Sequence, residues 1–177
     1  MKKVLILSIC LLLVATSAMA GTAPVDLKRL TDDVGLVYVQ LDGVADIQVE
    51  EVYDLTIVTY TMEDASMPNY RLVISHSDLL DGKDITDLSE EELGQLVAYT
   101  ALDAEEFSYA VVEMEDGWPA VVIDYEGESD WTDAFTLISG YLIQMHGYHD
   151  DFSPLTDEES AYAFTLLDSV DVVNTAE

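Results

Sequence analysis

The sequence has 177 residues, and its 36 Asp and Glu against 6 Lys and Arg give a formal net charge of −30. Half of the residues are hydrophobic, which excludes a wholly disordered chain despite this charge. A surface this acidic repels phosphate groups, so neither nucleic-acid binding nor docking on anionic lipid is expected.

The first twenty residues have the pattern of a secretory signal peptide. Two lysines precede an uncharged apolar stretch over residues 4–14, and Ala18 and Ala20 match the small residues at signal-peptidase sites. The apolar stretch is shorter than the roughly 20 residues of a membrane-spanning helix. We therefore expect cleavage between Ala20 and Gly21, export to the periplasm or the medium, and no stable membrane insertion afterwards.

The only cysteine, Cys10, lies within that segment. A mature chain over residues 21–177 would contain no thiol, which excludes disulfides, thiol catalysis, zinc–thiolate sites and iron–sulfur clusters. We expect a single acidic α+β domain over residues 21–177, and at this size a hydrophobic core can stabilise it without cross-links.

Strand patterns dominate the first half of the mature chain. β-Branched and aromatic residues are concentrated in three runs, at residues 36–41, 47–62 and 70–76. The first run ends at Asp42-Gly43, a dipeptide that favours tight turns. In the last run, alternation places Tyr70, Leu72 and Ile74 on one face of a strand.

The clearest local signal is the start of a helix at Ser89. Glu92 follows three residues later and completes a capping box, while Leu88 and Leu93 occupy the positions of a hydrophobic staple. Apolar residues then recur at helical spacing. This pattern predicts a helix from Ser89 to about residue 102.

The second half of the chain predicts two hairpins, a second helix and a last strand. One hairpin turns at Asp116-Gly117, between β-rich runs at residues 107–115 and 118–125. The other turns at Ser139-Gly140, between runs at residues 134–138 and 141–146. Thr156 and Glu159 form another capping box, and residues 169–173 suit a short strand. The order strands, helix, strands, helix predicts an α+β fold in which helices flank a mostly antiparallel sheet.

One dense cluster of metal-capable side chains runs from His146 to His149 and on to Asp150 and Asp151. Two histidines three residues apart at the end of a strand do not aim their rings at one point, as they would on a helix. We therefore predict no metal ligand and no cofactor, and leave open whether His146 and His149 ever bind a metal.

No catalytic or cofactor-binding residue can be named from the sequence. There is no G-x-S-x-G motif and no phosphate-binding glycine loop. No feature of the sequence distinguishes two of the 36 acids as a catalytic carboxylate pair. Trp131 follows the acidic run 126–130 and suits an exposed loop. We expect a non-catalytic exported binding or accessory protein with an unknown protein or small-ligand partner. The alternative is a secreted hydrolase that uses carboxylate acid/base chemistry.

Short segments in order along the chain also resemble a known superfamily. They are residues 70–74, 88–92, 116–120, 140–143, 155–159 and 167–170. In this order they resemble the PsbP-like superfamily, which includes a photosystem extrinsic subunit, a nuclear-import accessory factor and small exported bacterial proteins. The resemblance implies an α/β/α sandwich and a binding or accessory role without catalysis, and it assigns no site residues.

Salt should stabilise the protein against heat. Loss of the two leader lysines would change the formal charge from −30 to −32, so most surface neighbours repel each other. Raising the ionic strength from about 0.01 M to 0.15 M shortens the Debye length from roughly 30 Å to 8 Å. We expect the melting temperature at neutral pH to rise across this sodium chloride series. A flat or falling series would instead indicate paired or metal-bound acids.

Overall fold

The computed structural model describes residues 26–38, 41–101, 106–125 and 129–174. The expected leader, residues 1–20, and the cleavage point between Ala20 and Gly21 lie outside the described residues. Within these ranges the chain forms ten β-strands and two α-helices. None of the helices in these ranges has the length and apolar character needed to cross a membrane.

The strands form two antiparallel sheets, one small and one large. The small sheet has the order β1–β2–β10, with β1 at Asp26–Arg29, β2 at Val34–Tyr38 and β10 at Val170–Asn174. The large sheet has the order β3–β4–β5–β9–β8–β7–β6. Its strands are β3 (Val44–Val52), β4 (Leu55–Met62), β5 (Asn69–His76), β6 (Phe107–Glu113), β7 (Pro119–Tyr125), β8 (Trp131–Ile138) and β9 (Tyr141–Tyr148). The helices are α1 (Glu90–Thr100) and α2 (Asp157–Asp168), and a 3-10 turn lies at Ile85–Asp87.

Each face of the large sheet has its own apolar core. On one face, the small sheet and α2 pack against the sheet in a cluster that includes Tyr38, Leu72, Met145 and Leu166. On the other face, α1 and the 3-10 turn pack against β7, β8 and the start of β9, around Phe135. The side chains that β4 and β5 place on this second face do not belong to that cluster.

This architecture corrects the predicted fold class. Strands account for 48% of the structure and helices for 19%, in two antiparallel sheets. The prediction of a helix-flanked α+β, PsbP-like α/β/α sandwich was wrong, because the fold is closer to a β-sandwich. Residues 170–174 form a strand, as expected, but they pair with β2 from the other end of the chain and so build a second sheet. Such long-range pairing leaves no local sequence signal.

Most local predictions are confirmed. Tyr70, Leu72 and Ile74 are all buried on one face of β5. Antiparallel β6 and β7 flank Asp116-Gly117, and antiparallel β8 and β9 flank Ser139-Gly140. The run 47–62 is two strands instead of one, joined at Tyr53-Asp54. Tyr53 adopts a left-handed φ of 56° there, so this turn lacks the glycine that would have marked it.

Both predicted capping boxes are present. The Ser89 and Thr156 hydroxyls accept hydrogen bonds from the backbone N–H groups of Glu92 and Glu159, whose carboxylates accept bonds in return. We expect Thr156→Ala to lower the free energy of unfolding by about 1 kcal/mol, because one N–H of α2 loses its acceptor. Urea denaturation measures this change. Thr165→Ala, in the exposed interior of the same helix, is the matched control and should cost nothing.

The α1 cap also makes stability depend on pH. Hydrogen bonds from Lys83 and Ser89 lower the pKa of Glu92 to about 2. A folded-state pKa below the unfolded value stabilises the fold above about pH 4.5, and this contribution is lost as pH falls towards 2. Glu92→Gln should therefore lower the melting temperature at pH 7, and the difference from wild type should close between pH 4.5 and 2. A gap that stays constant with pH would contradict this linkage.

Candidate functional site

A buried carboxylate organises a polar cluster on the second face of the large sheet. Asp133 on β8 is 1% exposed. It accepts hydrogen bonds from Trp131 Nε1 at 2.7 Å, from Gln144 Nε2 at 3.4 Å and from the Tyr125 hydroxyl. The Nδ1 atom of His146 lies 2.5 Å from the Oδ1 atom of Asp133. We call these five residues the Asp133 cluster.

Strand register explains why these side chains meet. Alternation along β8 points Trp131 and Asp133 to the same face, and antiparallel pairing places His146 of β9 directly opposite Asp133. Ile123 of β7 pairs with Asp133 on the other side, so Tyr125 lies one step along the same face. Three neighbouring strands therefore supply all five residues, and no loop is needed to complete the cluster.

The number of donors fits a charged carboxylate. Burying a carboxylate is unfavourable unless several donors replace its water. An ionised carboxylate only accepts hydrogen bonds, so the Nδ1 atom of His146 donates and Nε2 is left to accept or to take a proton. Burial, and secondly the Asp133 charge, raise the pKa of Tyr125, which keeps its hydroxyl protonated as a donor.

An aromatic and cationic layer lies beside the cluster. The rings of Trp131 and Tyr148 stack with centroids 5.0 Å apart, and the His146 ring lies 5.2 Å from that of Trp131. The Arg71 guanidinium carbon lies 5.6 Å from the centroid of the Tyr148 ring. Stacking and cation–π contacts of this kind present flat apolar surface and positive charge together.

The arrangement supports two kinds of chemistry. The fixed rings and the guanidinium can bind a ligand that has both a flat apolar body and a polar group. The His146–Asp133 pair can also take part in proton transfer, because a carboxylate on Nδ1 orients the imidazole with Nε2 as the proton acceptor. His146 is 18% exposed, so solvent or a ligand can reach part of its ring.

The two histidines considered for metal binding lie in different environments. His146 contacts Asp133, whereas Nε2 of His149 lies 3.3 Å from a carboxylate oxygen of Glu159 at the start of α2. Burial alone would raise the pKa of Glu159, but hydrogen bonds from Thr156 and the charge of His149 lower it overall. Across the described residues, no group of three or more metal-capable side chains comes together.

A groove separate from the Asp133 cluster lies at the opposite end of β5, and we call it the His76 groove. It has a volume of about 510 Å³ and is lined by residues of β1, the end of β3, the β3–β4 turn and the ends of β5 and β9, among them Arg29, Glu51, Tyr53 and His76. His76 contacts Asp81 at 3.3 Å and Asp78 at 3.5 Å. Its ring also packs on Tyr141. These contacts with Asp78, Asp81 and Tyr141 explain the position of His76 without a functional role.

Sequence reasoning missed Asp133 and misplaced Trp131. Trp131 is the first residue of β8 and is partly buried against Tyr148, instead of lying in an exposed acidic loop. The sequence signal for Asp133 is its position inside the apolar run of residues 131–138. A buried acid there requires hydrogen-bond donors around it. The predicted strand began only at residue 134, so the acid fell outside it.

Comparison with known proteins adds no assignment. No protein-family model matches the sequence, and no curated protein matches it. The site must therefore be interpreted from its own geometry.

Proposed function

We propose that this chain is an exported, non-catalytic binding or accessory protein that binds a small ligand. The ligand site is the sheet face formed by Trp131, His146, Tyr148 and Arg71. One observation carries the proposal: the fully buried Asp133 holds Trp131 and His146 in place through hydrogen bonds of 2.7 and 2.5 Å.

Fixed side chains favour binding because little rotational freedom is lost when a ligand arrives. Trp131 is held by its indole N–H on Asp133 and by its stack on Tyr148. Position on a sheet adds rigidity that a loop would not supply. The resemblance to the PsbP-like superfamily stays a prediction.

Ligand binding can be read from Trp131 itself. In a Trp118→Phe chain, Trp131 is the single tryptophan, so its fluorescence reports this face alone. A panel of small polar and aromatic compounds should contain members that change this fluorescence saturably. Tyr148→Ala should weaken their binding at least tenfold. Tyr109→Ala, on the exposed edge strand β6, is the matched control and should leave binding unchanged.

Either of two results would contradict the binding proposal. If no compound changes Trp131 fluorescence, or if Tyr109→Ala and Tyr148→Ala behave alike, the face is not a ligand site. Export is tested separately by the intact mass of protein recovered from the periplasm or medium. Retention of residues 1–20 would contradict processing after Ala20.

The second candidate function is a secreted hydrolase. From the sequence alone we expect carboxylate acid/base chemistry for it, whereas the His146–Asp133 pair favours an imidazole base that a carboxylate orients. In that case Asp133 would orient His146, and Nε2 would take a proton from an attacking water. A panel of ester, amide and glycoside substrates provides the test. Hydrolysis lost in His146→Gln while ligand binding persists would support the enzyme, and turnover equal to buffer would exclude it for those substrates.

A further inference from the structure

Arg71 has no acidic residue among its direct neighbours on its face of the sheet. It lies on β5, a central strand, and is exposed. Its neighbours on the same face are three residues of β4, two of β5 and three of β9. These eight are Ile57, Thr59, Thr61, Asn69, Val73, Gln144, His146 and Tyr148. None is Asp or Glu, although the chain contains 36 acids. We call these nine positions the Arg71 patch.

The charges around the patch are accounted for. Asp133 lies beyond His146 and is occupied by the donors of its own cluster. Asp150 lies past the end of β9 and accepts a 2.9 Å hydrogen bond from the Asn69 amide. Asp46 and Glu50 of β3 lie one strand further out, opposite Thr61 and Ile57, and Asp46 accepts a 3.1 Å hydrogen bond from the Gln48 amide. Within the described ranges, no carboxylate forms an ion pair with Arg71, whereas Lys83 is paired with Glu92 at 2.8 Å.

The Arg71 patch also presents hydrogen-bonding groups and apolar surface together. The guanidinium has five N–H donors, and its contact with the Tyr148 ring leaves these donors in the plane of the group for a ligand. The Nε2 atom of His146 is the second group, since Nδ1 is engaged by Asp133. Ile57, Val73 and the Trp131–Tyr148 stack supply apolar surface beside these groups.

We propose that the ligand of this face is a small organic acid whose carboxylate is bound by Arg71 beside His146 and whose flat body packs on the aromatic stack. This inference rests on the binding function proposed above and names the ligand class. A guanidinium matches the two oxygens of a carboxylate, which makes Arg the residue suited to such a group. Because no carboxylate in the described ranges forms an ion pair with Arg71, its guanidinium is available there for an incoming anion.

The negative net charge of the protein determines the salt concentration at which anion binding should be measured. At low salt the field of the acidic surface repels any anion, but at 0.15 M the Debye length is about 8 Å and distant acids are screened. Binding should therefore be measured at 0.15 M sodium chloride, with Trp131 as the single tryptophan. The probes are benzoate, its neutral isostere benzamide, and inorganic phosphate, which has the charge but no flat apolar body.

We expect benzoate to bind at least tenfold more tightly than benzamide or phosphate. Arg71→Gln should remove this preference, and Arg71→Lys should keep part of it. Arg29→Gln is the matched control, because Arg29 is exposed and lines the His76 groove at the other end of β5, and this variant should keep the whole preference. Equal binding of benzoate and benzamide, or a preference that survives Arg71→Gln, overturns the carboxylate inference while the binding function stands. No response to any of the three probes also overturns it, and the compound panel then decides the binding function separately.

Discussion

Replacing Asp133 with alanine should lower the free energy of unfolding by about 3–5 kcal/mol. The carboxylate is 1% exposed and accepts bonds from Trp131 Nε1 and the Tyr125 hydroxyl in addition to its contact with His146. Its removal leaves these donors without an acceptor and opens a cavity among them, and an unpaired buried polar group costs about 1–3 kcal/mol. Urea denaturation followed by circular dichroism measures the loss.

Two further variants separate charge from general damage to the sheet. Asp133→Asn keeps the size of the side chain, but its NH2 group must face at least one of the donors Trp131, Tyr125 and His146, so a smaller loss is expected. Asp124→Asn, at an exposed position of the adjacent strand β7, should change stability by no more than about 0.5 kcal/mol. If Asp133→Ala cost as little as Asp124→Asn, the carboxylate would not organise the cluster and the binding proposal would lose its basis.

Local elements could be predicted because their causes are local. The Ser89 and Thr156 caps require only a hydroxyl and an acid three residues apart, and both helices begin where these pairs lie. The Asp116-Gly117 and Ser139-Gly140 turns require residues that tolerate a left-handed backbone, and Gly117 and Gly140 have φ values of 86° and 83°.

The prediction of the fold class was wrong because it required knowing which distant segments pair with each other. Residues 36–38 and 170–173 were each predicted as strands, but only the structure shows that they lie side by side, with Val170 opposite Tyr38. Nothing in either segment identifies the other, because each has only the composition that many strands share. Without the pairing of these two strands, the sequence suggests one sheet covered by helices. With the pairing, a second sheet covers part of the face of the large sheet where only a helix was expected.

The candidate site depends on the same kind of information. Asp133 and His146 lie on two arms of one hairpin, and their meeting depends on a register that starts at the Ser139-Gly140 turn. Arg71 reaches His146 only through the pairing of β5 with β9. The sequence drew attention to His146 only together with His149, three residues along the chain, as a pair whose spacing does not favour a shared metal. The actual partner is the residue opposite on the neighbouring strand, because side chains on one face of a sheet contact across strands.

Gly140→Ala should be nearly as damaging as Asp133→Ala, with a loss of about 3 kcal/mol or more. Gly140 has a φ of 83°, which costs about 1–2 kcal/mol for an L-residue. A Cβ atom there would also lie 2.8 Å from the Leu80 carbonyl oxygen and 2.8 Å from the Asp81 Cα. Both are backbone atoms, so a side-chain rotation cannot relieve the contact, and overpacking of this kind adds about 1–3 kcal/mol.

Gly82→Ala isolates the contact from the backbone strain. Gly82 also has a left-handed φ, 70°, but a Cβ atom there meets nothing within 4 Å, so we expect a loss of about 1 kcal/mol. The Gly140 N–H donates to the Lys83 carbonyl at 2.8 Å, which holds the turn of the β8–β9 hairpin against this loop. Because the arms of that hairpin carry Asp133 and His146, Gly140→Ala should also shift Trp131 fluorescence, whereas Gly82→Ala should not. Equal losses of stability in the two variants would mean that the loop moves aside freely, and the turn would then not fix the register on which the site depends.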